Sequence, residues 1–127
     1  MTLEHVAINV QDPAKMAEWF VTHLGMRVVL ASTVAPYMHF LADDKGSMIE
    51  IYNNTTVPLP DYANMSPFNL HLAFSSANIE ADCDRLVKAG ATLVAPVSVT
   101  AAGDKLAFLR DPWQVPFQFV QRAKPLI

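Results

Sequence analysis

The sequence predicts an α+β fold: two tandem βαβββ modules whose mixed sheets curve into a cup. Three observations predict it. The chain repeats itself, with HVAINV at His5 matching HLAFSS at His71. Within each copy, short β-branched runs alternate with a segment of helical periodicity. Between the copies lies the polar, proline-rich stretch NNTTVPLPDYANMSP, residues 53–67. A single domain over residues 1–127 follows, with module one at about 1–54, a linker at 55–67 and module two at about 68–122.

The elements can be taken in order. Leu3–Val10 (LEHVAINV) reads as a strand. Asp12 then Pro13 reads as an N-cap followed by proline at the first helical position. Met16, Phe20 and Leu24 recur every four residues beside Ala17 and Val21, an amphipathic helix that Gly25 ends. Met26–Leu30 is the next strand. In the second copy Phe68–Ser75 is a strand, Asn78 an N-cap, and Ile79, Cys83, Leu86 and Val87 an apolar helical stripe closed by Gly90. Thr92–Val99 returns as one strand. The module ends also align: HFLADDKGSMIEIY from His39 matches AFLRDPWQVPFQFV from Ala107, with FL-x-D shared. One helix would cover one face of each sheet and leave the other face open, which is α+β rather than doubly wound α/β.

Composition narrows the chemistry. Hydrophobic residues are 52% and charged residues 17%, enough for a core and too little charge for a disordered chain. A formal net charge of -3 disfavours nucleic acid or an anionic membrane as the partner. The single cysteine excludes an intrachain disulfide and any Cys-based metal cluster. No apolar run approaches the length of about 18 residues that a spanning helix needs, and no signal peptide is legible, so the expected location is cytoplasmic. With four glycines the chain holds no GxGxxG or Walker A loop, and HExxH, CxxC and GxSxG are missing as well.

Strand alternation then selects the candidate residues. His5, Glu50, His71 and Gln118 each lie opposite a fully apolar strand face and should point to the concave side. The repeat pairs His5 with His71 and Glu50 with Gln118. Two imidazoles and a carboxylate suit a divalent Fe, Ni, Co, Mn or Zn ion. Tyr52, Trp113 and His39 are candidate pocket residues. His23, at the end of the first helix, is better explained by charge–dipole capping, and Cys83 by packing.

With LEHVAINVQDPAKMAEWFVTHLGMRVV, MIEIYNN, HLAFSS and FLRDPWQVPFQF on the page, the chain resembles the vicinal oxygen chelate superfamily. This superfamily includes glyoxalase I, bleomycin and fosfomycin resistance proteins, methylmalonyl-CoA epimerase and extradiol dioxygenases. The resemblance runs from about Leu3 to Arg122. It implies paired βαβββ modules and, in metal-dependent members, ligands at the positions of His5, Glu50, His71 and Gln118. The implied ion is six-coordinate, binds two neighbouring substrate oxygens and stabilises an oxyanion. The resemblance also implies a homodimer, in which the site is shared between subunits in many small members.

One departure matters. Metal-dependent members carry glutamate where this chain has Gln118. An amide can ligate through oxygen but cannot serve as a general base near neutral pH. Glyoxalase I chemistry in its usual form is therefore not expected, and Glu50 is the remaining catalytic carboxylate. The resulting expectation is a divalent-metal-dependent lyase, isomerase or dioxygenase acting on a small molecule with vicinal oxygens. The alternative is a metal-free protein that sequesters a small molecule, as the bleomycin resistance proteins do.

Overall fold

Each helix begins where a side chain caps it. Asp12 accepts the backbone N–H of Lys15 at 3.2 Å, and Pro13 opens helix α1, Pro13–Leu24. Gly25 ends it in the left-handed region at φ 70°, which lets the Met26 N–H reach back to the Phe20 carbonyl. Asn78 likewise accepts the Ala81 N–H at 3.2 Å to open α2, Ile79–Lys88. Glu80 and Asp82 sit in the first turn of α2 and Arg85 and Lys88 in its last, as the helix dipole favours.

The computed structural model describes residues 1–127, which divide into two units, Met1–Pro60 and Asp61–Ile127. The first unit holds strands β1 (Val6–Asn9), β2 (Arg27–Ala31), β3 (His39–Ala42) and β4 (Met48–Tyr52) in the order β1-β4-β3-β2. β1 and β4 are parallel and the other pairs antiparallel. The second unit repeats this plan with β5 (Leu72–Ser75), β9 (Pro116–Gln121), β8 (Lys105–Arg110) and β6 (Thr92–Leu93), and the short β7 (Ser98–Val99) also pairs with β8. Each unit is thus a mixed sheet with one helix against it, and the class is α+β. No helix is long and apolar enough to cross a membrane.

The apolar faces sit under the helices. In the first unit Met16, Ala17, Trp19 and Phe20 are buried on α1, and Ile8, Leu41 and Ile51 are buried on the sheet. The stripe runs through Trp19 rather than Val21, which is 40% exposed. In the second unit Ile79, Cys83 and Leu86 are buried on α2, with Leu109, Phe117 and Phe119 buried on the sheet. Gln121 ties the two layers together by accepting the Ile79 N–H at 3.0 Å through its side chain.

Three strands differ from the sequence expectation. The run Thr92–Val99 is two short strands, because Pro96 has no N–H to give the ladder. The equivalent strand β2 stays continuous, but its register to β3 shifts between Val28 and Leu30. β1 starts at Val6 rather than Leu3, where pairing with Ile49 begins, and β5 starts at Leu72 rather than Phe68. Before β5 the chain is turned, with the Asn69 N–H on the Ser66 carbonyl and the Phe68 N–H on the Ser66 hydroxyl. His5 and His71 therefore each sit one residue ahead of a strand.

Candidate functional site

Sheet register builds one row of side chains in each unit. In the first, Ala7 pairs with Glu50, Phe40 with Glu50, and Leu30 with Phe40. Ile51 and Leu41 are fully buried on the helix side, so alternation turns Glu50 and Phe40 to the other face. His5 reaches the same row from just before β1. Its Nε2 lies 3.4 Å from Glu50 Oε2, and its ring stands at 90° to Phe40 with centroids 5.1 Å apart. Its Nδ1 is engaged by the Glu4 carboxylate. The His5 and Glu50 side chains are 30% and 20% exposed, so both remain within reach of a ligand.

The second unit builds the same row. Ala73 pairs with Gln118 and Phe108 with Gln118, while Leu109, Phe117 and Phe119 face α2. The His71 ring stands at 88° to Phe108 with centroids 5.2 Å apart. Its Nδ1 donates to the Pro67 carbonyl at 2.6 Å. A carbonyl only accepts, so Nδ1 carries a proton and a lone pair, where the ring has one, is on Nε2.

Of the other expected residues, Tyr52 shares the Glu50 face and His39 does not. Tyr52 ends β4, pairs with Asn9 and shares the face of Glu50. Asn9 is buried and exchanges two bonds with the Asn54 backbone, which fixes the chain as it leaves β4. His39 pairs with Ile51 and so lies on the opposite face from Phe40 and Glu50, its Nδ1 on the Tyr37 carbonyl. Trp113 is half-buried in the turn between β8 and β9, and its N–H bonds to the Asp111 carboxylate. Cys83 is buried, and that burial, reinforced by Asp82, Asp84 and Glu80, pushes its thiol up to about 11. It is packing, not a nucleophile.

Sequence reasoning passed over Phe40 and Phe108, although they are the shared phenylalanines of FL-x-D. It also passed over the shared aspartates. Asp43 Oδ1 accepts the N–H groups of Lys45 and Ser47, and Asp111 Oδ1 accepts those of Trp113 and Val115. At Asp43, burial pushes the carboxyl up, but bonds from the Ser47 and Lys45 backbone outweigh it and the net lies below the usual range. At Asp111, 1% exposed, burial prevails over the same kind of bonds and holds the carboxyl at about 7. Its Oδ2 is buried with no hydrogen-bond partner.

The donor chemistry fits a divalent ion. Each histidine has Nδ1 tied to an oxygen and Nε2 left for a ligand, the arrangement in which imidazoles hold metals. Two ligand atoms bound at about 2.0–2.2 Å to one ion stand roughly 3.0–3.5 Å apart. The Nε2–Oε2 spacing of 3.4 Å in the first unit falls in that range. No group of three or more His, Cys, Asp or Glu side chains is placed to hold a metal ion.

Two βαβββ units, each a mixed sheet with one helix against it, define a duplicated α+β architecture. The chain belongs to the Glyoxalase/Bleomycin resistance protein/Dioxygenase superfamily, whose family model matches residues 2–119. A glyoxalase family protein from Bacillus cereus shares its fold with a TM-score of 0.81 at 18% identity, over 95% of this chain and 93% of that one. A family enzyme from Burkholderia phytofirmans gives 0.75 at 21% identity, over 95% and 98%. An antibiotic-binding protein from Streptomyces sp. CB03234 gives 0.73 at 17% identity, over 97% of both chains. At such identities the likeness is one of fold. No curated protein sequence matches the chain.

Proposed function

We propose that this protein is a divalent-metal-dependent enzyme of the lyase, isomerase or dioxygenase type, acting on a small substrate with vicinal oxygens. His5 and Glu50 from one module and His71 and Gln118 from the other are the ligand set, with Gln118 the weakest donor. A bound Fe, Ni, Co, Mn or Zn ion would supply Lewis-acid or oxygen-activating chemistry. The observation that carries the reading is His5 Nε2 at 3.4 Å from Glu50 Oε2, with the far nitrogen of the ring held by Glu4. Glu50 is the base: the carboxylate on this row takes a proton from the substrate, which the Gln118 amide cannot do. Tyr52, on the same face, and Trp113 contact the substrate.

The protein works as a homodimer. Support comes from β2, the edge strand of its sheet, where Val28, Val29 and Leu30 are 46%, 50% and 53% exposed. The unpaired Cys83 accords with a reducing, cytoplasmic compartment.

The test is the metal content of protein purified without chelator, compared with His5→Ala and His71→Ala. Bound metal lost in both variants supports the reading, and wild-type protein no richer in metal than the variants removes it. A second reading, metal-free sequestration of a flat organic molecule, is favoured by Gln118 and by the aromatic rings of Phe40 and Phe108 beside the histidines. Melting raised by organic ligands but unmoved by EDTA would select it, and a large drop with EDTA would exclude it.

A further inference from the structure

A histidine just outside a strand is not held by the ladder, and the torsion that turns its ring is broad. Something else must set the ring plane of His5 and His71. Each ring meets an Nδ1 partner and a phenylalanine, and His5 also has Glu50 Oε2 at 3.4 Å from its Nε2. The Nδ1 partner is not repeated between the modules: it is a side-chain carboxylate for His5 and a backbone carbonyl for His71. The phenylalanine is repeated. Phe40 meets His5 at 5.1 Å and 90°, and Phe108 meets His71 at 5.2 Å and 88°. Each phenylalanine is set by the cross-strand pair it makes, Phe40 with Glu50 and Phe108 with Gln118. Neither lies on the face packed under a helix. That face takes the next residue, Leu41 or Leu109, and both leucines are fully buried. The two rings are therefore not needed to fill the layer beneath α1 or α2.

We propose that Phe40 and Phe108 are positioning residues, each fixing the plane of its neighbouring imidazole so that Nε2 is presented to whatever the site binds. In its consequence for metal the inference rests on the function proposed above; in its consequence for ring orientation it does not. An edge-to-face ring has a preferred geometry that an aliphatic side chain of similar volume lacks. Leucine would keep the wall and lose the orientation.

The test uses the intact, metal-free protein. Imidazole C–H residual dipolar couplings, which report ring orientation and not the ring current that a lost phenylalanine removes, are recorded for wild type, Phe40→Leu, Phe108→Leu and the conservative Phe40→Tyr. The expected result is selective. Phe40→Leu changes the ring couplings of His5 and leaves those of His71, Phe108→Leu does the reverse, and Phe40→Tyr keeps the wild-type couplings. Titration of the same proteins with Ni²⁺ alone is expected to show about tenfold weaker binding in each leucine variant, the usual size of an outer-shell effect. Ring couplings of both histidines that are the same in the leucine variants as in wild type would overturn the proposal. So would Ni²⁺ binding that His5→Ala abolishes but Phe40→Leu leaves unchanged. If wild type binds no Ni²⁺, the metal reading fails while the couplings still decide the positioning role. Should Phe40→Leu fold poorly, Phe108→Leu with His71 poses the same question in the other module.

Discussion

Asp43 and Asp111 occupy the same place in two copies of one hairpin, accept the same pair of backbone N–H bonds, and titrate in opposite directions. Two differences separate them: Asp43 also receives bonds from the Ser47 hydroxyl and the Gly46 N–H, and Asp111 is far more deeply buried. Asp43 sits in an exposed turn, where the backbone bonds keep its charged form favourable. Asp111 is enclosed, and its second oxygen meets no donor.

The pH dependence of stability follows. The folded Asp111 carboxyl titrates at about 7, above its ordinary value of 3.8, so between those values the folded chain holds more protons than the unfolded chain. The stability this supplies is complete below the unfolded value and is lost as pH rises through about 7. The size is on the order of 4 kcal/mol. Asp111→Asn keeps an oxygen for the Trp113 and Val115 N–H groups but cannot ionise. Relative to wild type, the variant should gain stability from pH 4 to about pH 7 in urea melts and hold a constant difference above it. A difference that stays flat across that range would show that Asp111 is not the titrating group.

The same hairpins differ at one backbone position. Gly46 takes φ 91° in the first, and Gln114 takes φ 71° in the second. A side chain at positive φ costs roughly 1–2 kcal/mol that glycine does not incur. Part of this is offset by glycine's greater freedom in the unfolded chain. Gln114→Gly should stabilise the protein by about 0.5–1 kcal/mol, read as a shift in denaturation midpoint with unchanged slope. A loss of stability would mean that the Gln114 side chain contributes more than its backbone strain removes.

Gln118 is the point at which the two modules differ in donor strength. Gln118→Glu would give the second row the carboxylate that Glu50 gives the first. Divalent-metal affinity should rise at least tenfold, measured calorimetrically with Ni²⁺ or Zn²⁺. Equal affinity in both proteins would place Gln118 outside the ligand set.

Cys83 should behave as a core residue. Its thiol is enclosed on α2 and pushed to about 11, so thiol reagents at pH 8 should react only as fast as the protein unfolds. Labelling within seconds in native buffer would contradict the packing described here.

Much of the architecture was legible because it depends on short-range chemistry. Asp12–Pro13, Gly25, Asn78 and Gly90 mark the helix ends by rules that tertiary contacts seldom override. Alternation around Glu50 and Gln118 gave the correct face, since Ile51, Phe117 and Phe119 must go under a helix. Less could be read where a local rule competes with pairing. Pro96 was visible, yet its power to split a strand depends on which side of the ladder its missing N–H falls. The turn at Ser66–Asn69 shortened β5 through a side-chain hydroxyl that no periodicity records. His39 aligns with Ala107 in the repeat, and its register with Ile51 puts it on the face opposite Glu50. The shared FL-x-D motif was seen as alignment alone, although its phenylalanines meet the histidines and its aspartates build the hairpins.

The interruption at Pro96 has a consequence for assembly. The outer boundary of the second sheet is two strands of two residues each, with no continuous row of donors and acceptors for an incoming chain to join. In the first sheet the corresponding boundary, β2, runs for five residues, broken only by a bulge. Duplication has thus left one blunted rim and one that still offers itself as a template. Off-pathway fibre growth, if the chain is stressed, should recruit the N-terminal half first.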